Sequence, residues 1–372
     1  MRMMQAPPQT TTTGIDADGS KREAPEVLAQ LLERAERAAA SDIHLQMTRD
    51  GAEIGFRLDG VLVPVTRFSS GLAERVFGRI KFLARLKTYE DSLPQDGRIN
   101  HQDSGVDHDI RVATYPTVTG EKIVLRLFNQ TVAKPLAELG LTAPVMAELE
   151  HFLGQHSGLL LLTGPAGSGK TTTIYACLRH LAEHGGRHII TVEDPVEQVI
   201  PGLMQTEVNE ARGLTFAVAA RHLLRQDPQV LVLGEVRDEE TANLCVRAAL
   251  TGHLVISTLH AGSCRGVFER LTAMCPDPYG VAAAVELVLN QRLLRRICSA
   301  CGGAGCEVCM RTGYQGRVPV VEWVRLDEDL RRGLRTAGCE VIQPALPLQN
   351  AARELLFRGV SNQTEHERVF GS

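Results

Sequence analysis

Residues 159–181 read LLLLTGPAGSGKTTTIYACLRHL, and this stretch decides the fold. Four leucines and a threonine form a short apolar strand of the kind buried on both faces of a parallel sheet. Gly164-Pro165-Ala166-Gly167-Ser168-Gly169-Lys170-Thr171 then satisfies G-x-x-x-x-G-K-[ST] at every position, and TTTIYACLRHL continues as a helix. Strand, glycine loop and helix in that order gather backbone N–H groups, a helix N-terminus and one ammonium around a common point. That is a cradle for a chain of phosphates. Lys170 is expected on the β and γ phosphates and the Thr171 hydroxyl on Mg²⁺, so ATP with magnesium is the implied ligand. Gly164, Pro165, Ala166, Gly167, Ser168, Gly169, Lys170, Thr171 and Thr172 are the expected contacts.

Working outward, HIITV (188–192), VLVL (230–233) and HLVISTL (253–259) are further apolar runs separated by helical stretches. They predict an α/β nucleotide-binding core over 146–297. Upstream, EVLAQLLERAERAAA places Val27, Leu28, Leu31, Leu32 and Ala35 at helical spacing. The alternating runs SDIHLQM and AEIGFRL follow it, with Asp50-Gly51 and Asp59-Gly60 as turn signals. A helix over 72–86 and a strand pair, DHDIRVATYP and EKIVLRLF, complete a small α+β domain spanning 25–130, with 131–145 as linker. Residues 1–24, rich in Thr, Pro, Gln, Gly and Asp without an apolar period, are expected to be a disordered tail.

Two strands end in acids. VLVLGE ends at Glu235, the leading candidate to orient or activate water, and ITVED brings Glu193 and Asp194 to the same crevice. Which carboxylate acts as base stays open among them.

Cys298, Cys301, Cys306 and Cys309 form two C-x-x-C pairs within residues 298–317. Two pairs supply four thiolates to one tetrahedral ion, so a structural Zn²⁺ knuckle is the first reading, with free or redox-active thiols as the other. The other five of the nine cysteines read as small hydrophobes.

The 372 residues are 44% hydrophobic and 23% charged with a net charge of -4. This argues against a surface coated for duplex binding, and no nucleic-acid partner is expected. No apolar run reaches the roughly 18 residues of a membrane helix and the start lacks a signal-peptide core, so a cytoplasmic location is expected.

Four boxes occur in order: GPAGSGKTT (164–172), ITVEDPVE (190–197), RHLLRQDPQVLVLGEVRDEETA (221–242) and ALTGHLVISTLHA (249–261). They resemble the Walker A, Asp box, Walker B and His box of the type II secretion and type IV pilus assembly ATPases. ASDIHLQ, GFRLDGVL, LPQDGRI and RVATYPTVTGEKIVLRLF are similar to that family's N-terminal domain, so the resemblance covers 25–372. It implies a RecA-like P-loop NTPase core after a small α+β, PAS-like domain, with a helical C-terminal region over 318–372. It also implies that His260 contacts the γ-phosphate and that His253 assists it. Arg111 and Arg126 from the N-terminal domain, and Arg221 and Arg225 from the core, would close on the nucleotide.

The family implies a homo-oligomer, most often a hexameric ring, peripherally docked on inner-membrane platform and docking proteins, where hydrolysis drives domain motion and pilin assembly. Retraction of a pilus is the alternative, and a nucleic-acid translocating ATPase a more distant one. The chain departs from the pattern in its knuckle, where only Gly302 to Gly305 separate the two cysteine pairs.

Overall fold

The computed structural model describes residues 23–127, 134–184 and 186–371. The expected tail therefore lies outside the described residues, except for Glu23 and for Ala24, which begins the first helix. The chain divides into two compact units, residues 1–130 with 298–314, and residues 131–297 with 315–372.

In unit 1, α1 (Ala24–Arg37) buries Val27, Leu28, Leu31, Leu32 and Ala35, the stripe its spacing predicts. Strands β1 (Asp42–Thr48), β2 (Gly51–Leu58) and β3 (Val61–Ser69) follow, then α2 (Ser70–Leu83), β4 (Gln95–Ile99), the single turn α3 (His101–Ser104), β5 (Ile110–Thr117) and β6 (Gly120–Leu127). Asp59 and Gly60, at φ 48 and 86, make the left-handed turn that joins β2 to β3. The sheet runs β3-β2-β1-β6-β5-β4 with its five neighbouring pairs antiparallel.

Period-2 alternation gives this sheet two unlike faces. Ile43, Leu45, Phe56, Ile123 and Leu125 join α1 and α2 in the unit's core. The neighbouring positions set Arg57, Asp42, Arg126, Arg111 and Arg98 in one row, because each opposes the next across the ladder. β4 was not foreseen; its QDGRI sequence is polar because it is an edge strand with one buried residue, Ile99. Residues 298–314 belong to this unit although they lie between two strands of the other, and Met310 packs against the unit 1 core.

Unit 2 opens with a 3-10 turn at Leu136–Glu138 and α4 (Ala143–Leu153). Leu136 is buried in the same core cluster as α4. From there on the expected linker is part of the folded unit. Then come β7 (Gly158–Thr163), α5 (Lys170–His184), β8 (Ile189–Glu193), β9 (Met204–Glu207), α6 (Phe216–Leu223), β10 (Val230–Leu233), α7 (Glu239–Leu250), β11 (Leu254–Thr258), α8 (Cys264–Met274) and α9 (Pro278–Ala284). The long strands β12 (Val285–Ile297) and β13 (Tyr314–Arg325) precede α10 (Glu328–Ala337), α11 (Leu348–Phe357) and α12 (Gln363–Phe370).

The sheet order is β13-β12-β7-β11-β10-β8-β9, parallel from β12 through β9. Both faces are covered. Leu159 and Leu161 enter one apolar layer with α6 to α9, and Leu160 and Leu162 enter the other with α4 and α5. Each fully buried leucine contributes about 1.5–3 kcal/mol, which is why β7 needs no polar residue before Thr163.

One boundary is corrected. Residues 318–325, expected to open the helical C-terminal region, instead complete β13, where Val318, Val320 and Val324 are buried. β-branched residues at alternate positions suit a pleated surface better than a helix. Of the C-terminal helices, α12 is held to β12 in part by Glu365. This fully buried carboxylate accepts from the Arg295 N–H at 3.0 Å, Arg295 Nε at 2.9 Å and Arg368 Nε at 2.7 Å.

Candidate functional site

The site lies at the C-terminal ends of β7, β8, β10 and β11, the edge of a parallel sheet where connecting loops converge. After Thr163 the chain turns through Gly164 at φ 140, Gly167 at φ 74 and Gly169 at φ 91 before entering α5. A Cβ at Gly164 would stand 2.3 Å from the Gln291 carbonyl oxygen, and one at Gly169 2.6 Å from Gln291 Nε2. These two glycines are therefore demanded by β12 beneath the loop as well as by backbone conformation.

Lys170 Nζ donates to Gly164 O at 2.9 Å and Pro165 O at 3.1 Å, which holds it over the loop. Burial pushes the Lys170 ammonium below its ordinary value, the Glu235 carboxylate raises it and the Arg292 guanidinium lowers it further. Thr171 and Thr172 are exposed on the first turn of α5, whose N–H groups have no intrahelical acceptor. Ser168 Oγ is buried without a partner among the described residues. Pro165, Ala166 and Gly167 are exposed at the mouth. This donor set fits a polyphosphate with its cation at Thr171.

Facing the loop is a compact group. Glu235, just past β10, accepts from Arg237 Nε at 2.8 Å and lies 3.0 Å from His260 Nε2. Arg237 also reaches Asp194 at 3.3 Å and stacks over the Phe216 ring. Its hydrogen bond to Glu235 raises its pKa, against burial and with help from Asp194. Arg270 Nη1 donates to the His260 carbonyl at 2.8 Å and fixes that turn.

Glu193 is placed differently. Its buried carboxylate accepts from Tyr175 Oη, from Thr191 Oγ1 at 2.6 Å and from Gln205 Nε2 at 3.0 Å. Burial and this carboxylate push the Tyr175 phenol well above its usual range, so it remains a donor. With three donors in place, Glu193 ties α5 to the loop after β8, which leaves Glu235 and Asp194 as the acids presented at the open end.

His253 is corrected. It precedes β11, at the N-terminal end of a strand whose other end bears His260, and its Nδ1 lies 3.0 Å from Ala248 O. Five residues of strand at about 3.3 Å each separate it from the phosphate loop's edge of the sheet. Arg221 is ion-paired with Glu240 of α7, and Arg225 is exposed beyond α6. Arg111 and Arg126 belong to unit 1, where Arg126 Nε pairs with Asp42 at 3.0 Å and Arg111 stands beside it in register. Burial, then Arg57, depresses His44 in the same sheet, as an arginine-rich face would.

The cysteine sulfurs form the metal-type cluster found among the described residues, all four within 4.8 Å of one another. Sγ separations are 3.9 Å for Cys298–Cys306, 3.9 Å for Cys301–Cys309 and 3.7 Å for Cys306–Cys309. A tetrahedron with metal–sulfur bonds of about 2.3 Å has edges of about 3.8 Å, so the four residues fit Zn²⁺.

Reading from sequence missed Tyr175, Arg237, Asn290 and Gln291. Arg237 had a local signal, two residues past Glu235 in GEVRD; the other three act through contacts across 18 to 123 positions.

Loop, acids and imidazole on a covered parallel sheet define a RecA-like P-loop ATPase fold. The family described as type II/IV secretion system protein matches residues 18–367. The type II secretion system protein HxcR of Pseudomonas aeruginosa is 39% identical over all of this chain and 79% of its own length. Among solved structures, the pilus retraction motor PilT with bound ADP is 26% identical with a TM-score of 0.66, covering 91% of this chain and 96% of that one. The Legionella pneumophila ATPase DotB shares the fold at 22% identity and a TM-score of 0.73, covering 94% and 97%. The chain belongs to the type II/IV secretion system protein family.

Proposed function

We propose that this chain hydrolyses ATP as a motor subunit of a type II secretion or type IV pilus assembly machine. The observation that carries the reading is the Glu235, His260, Arg237 and Asp194 group set against the Lys170 loop. The loop amides and Lys170 bind the β and γ phosphates, Glu235 holds the attacking water, and His260 donates to the γ-phosphate while touching the same carboxylate. Thr171 would hold Mg²⁺, which when bound would supply positive charge against the phosphate oxygens. Arg111 and Arg126, and in the core Arg221 and Arg225, supply the further positive charge that an assembled ring brings to the γ-phosphate.

The working form is a homo-oligomeric ring, a hexamer, in which turnover drives domain motion and assembly of pilin-like subunits on inner-membrane platform proteins. The location is cytoplasmic with peripheral attachment; among the described residues no helix is long and apolar enough to cross a membrane. Zn²⁺ on the four cysteines is structural, since four thiolates leave no open coordination position. The name of the HxcR relative supports the secretion role. Similarity to the retraction motor PilT supports pilus retraction as the second reading. Phosphate release from MgATP by the purified chain tests the activity: Lys170→Ala should lower it at least about 100-fold, and unaltered turnover in a folded variant removes the reading.

A further inference from the structure

β12 runs beside β7 with Asn290 opposite Thr163, the last residue before the phosphate loop. Neighbouring residues on a strand point to opposite faces, and here both faces carry a catalytic segment. On one face, Thr163 Oγ1 accepts from the Ala261 N–H at 2.8 Å and donates to Ala261 O at 2.9 Å. Asn290 Nδ2 donates to Gly262 O at 3.1 Å. These bonds fasten the turn that carries His260.

On the other face, Gln291 Nε2 donates to Ser168 O at 2.8 Å and Gln291 Oε1 accepts from Thr173 Oγ1 at 3.0 Å. Both side chains are almost fully buried, at 1% and 3% exposure. The Asn290 amide has one orientation available. Its oxygen accepts from Arg292 Nη1 at 3.0 Å, and its nitrogen also donates to the buried Glu322 carboxylate at 2.9 Å. Glu322 in turn accepts from the Cys264 N–H at the start of α8 and the Leu348 N–H at the start of α11.

We propose that Asn290 and Gln291 are paired positioning residues, Gln291 shaping the phosphate loop and Asn290 holding the His260 turn, so that one strand sets the separation between the bound triphosphate and the imidazole. The pairing rests on the ATPase reading of this site. Because the two side chains act on different segments, they have different kinetic signatures. A distorted phosphate loop weakens ground-state and transition-state binding alike, whereas a displaced His260 turn weakens the transition state alone.

The test is steady-state MgATP turnover with separate measurement of fluorescent ADP binding. Gln291→Met, close in size, should raise KM and the ADP dissociation constant about tenfold with kcat within about threefold. Asn290→Ser should lower kcat about tenfold with KM and ADP binding within about threefold. Thr163→Val, isosteric and acting on the same turn, should reproduce the Asn290 pattern even where Asn290→Ser melts too low to assay. Gln291→Glu, which accepts but cannot donate while ionised, should recover nucleotide affinity as the pH is lowered toward 5. Variants that change KM and kcat in the same proportion, or folded variants that change neither, overturn the pairing while leaving the ATPase reading intact. Absence of Lys170-dependent turnover in the unaltered chain takes both down.

Discussion

Replacing Tyr175 with Phe removes a single oxygen that holds three bonds. In the folded chain Tyr175 Oη donates to the Glu193 carboxylate and accepts from the N–H groups of Glu197 at 2.9 Å and Gln198 at 3.2 Å. The donor and carboxylate are 6% and 7% exposed. A hydrogen bond to a buried charged group is worth about 1.5–3 kcal/mol, and the two amides, on a partly exposed loop, regain water at little further cost. The expected loss is thus about 2–3 kcal/mol, confined to the segment after β8. Unfolding of a chain with two units is not two-state, so local hydrogen exchange is the appropriate assay. The Ile200 amide is the informative probe, because it does not touch Tyr175: it donates to Gln205 Oε1 at 2.6 Å, and Gln205 donates on to Glu193. Its exchange should accelerate about 30- to 150-fold, the equivalent of 2–3 kcal/mol. If Ile200 exchanges at the original rate while the Glu197 and Gln198 amides speed up, the tyrosine does not support Glu193, and the network reasoning is wrong.

Glu235→Gln keeps the shape of the site but loses the charge that orients water, so turnover should fall about 100-fold while fluorescent ADP affinity changes less than about threefold. Arg126→Ala leaves Asp42 paired with Arg57 at 3.4 Å, so the melting temperature should move little, and a turnover fall of more than tenfold with nucleotide binding kept would place this arginine in the reaction. Metal analysis should find one zinc per chain, lost on exposure to a strong chelator together with exchange protection over residues 298–314. Burial alone would raise Glu365, but Arg368 and Arg295 more than offset it and hold the carboxyl below its ordinary 4.5. Its contribution is therefore complete above that pH and lost as the pH falls through the lower folded value, so the α12 segment should loosen in acid, and Glu365→Gln should flatten that acid limb.

Phosphate loop, acidic strand ends and the doubled cysteine pairs were legible because each is a local pattern whose chemistry depends on spacing alone. β7, β8, β10 and β11 announced themselves as apolar runs. β12 did not: after VELVL it continues NQRLLRR, whose leucines and arginines mimic an amphipathic helix, and its two neighbours in the sheet, β7 and β13, make it a strand. His253 was misplaced because nearness to His260 in sequence says nothing about which end of β11 each occupies. Glu193 and Asp194 are adjacent yet have opposite surroundings, one buried under Tyr175 and one exposed beside Arg237, a distinction set by a helix and a loop far along the chain.

The membership of residues 298–314 in unit 1 bears on any attempt to take the protein apart. An N-terminal gene fragment ending at residue 127 would lack Met310, so part of its own apolar interior would be bare to solvent. The remaining fragment would carry the cysteine hairpin without the surface it rests on. Complete excision of either half requires removing seventeen interior residues from one and grafting them onto the other. Simple truncation therefore yields pieces with sticky scars, and low solubility of such pieces would report the cut rather than any intrinsic weakness of the intact chain.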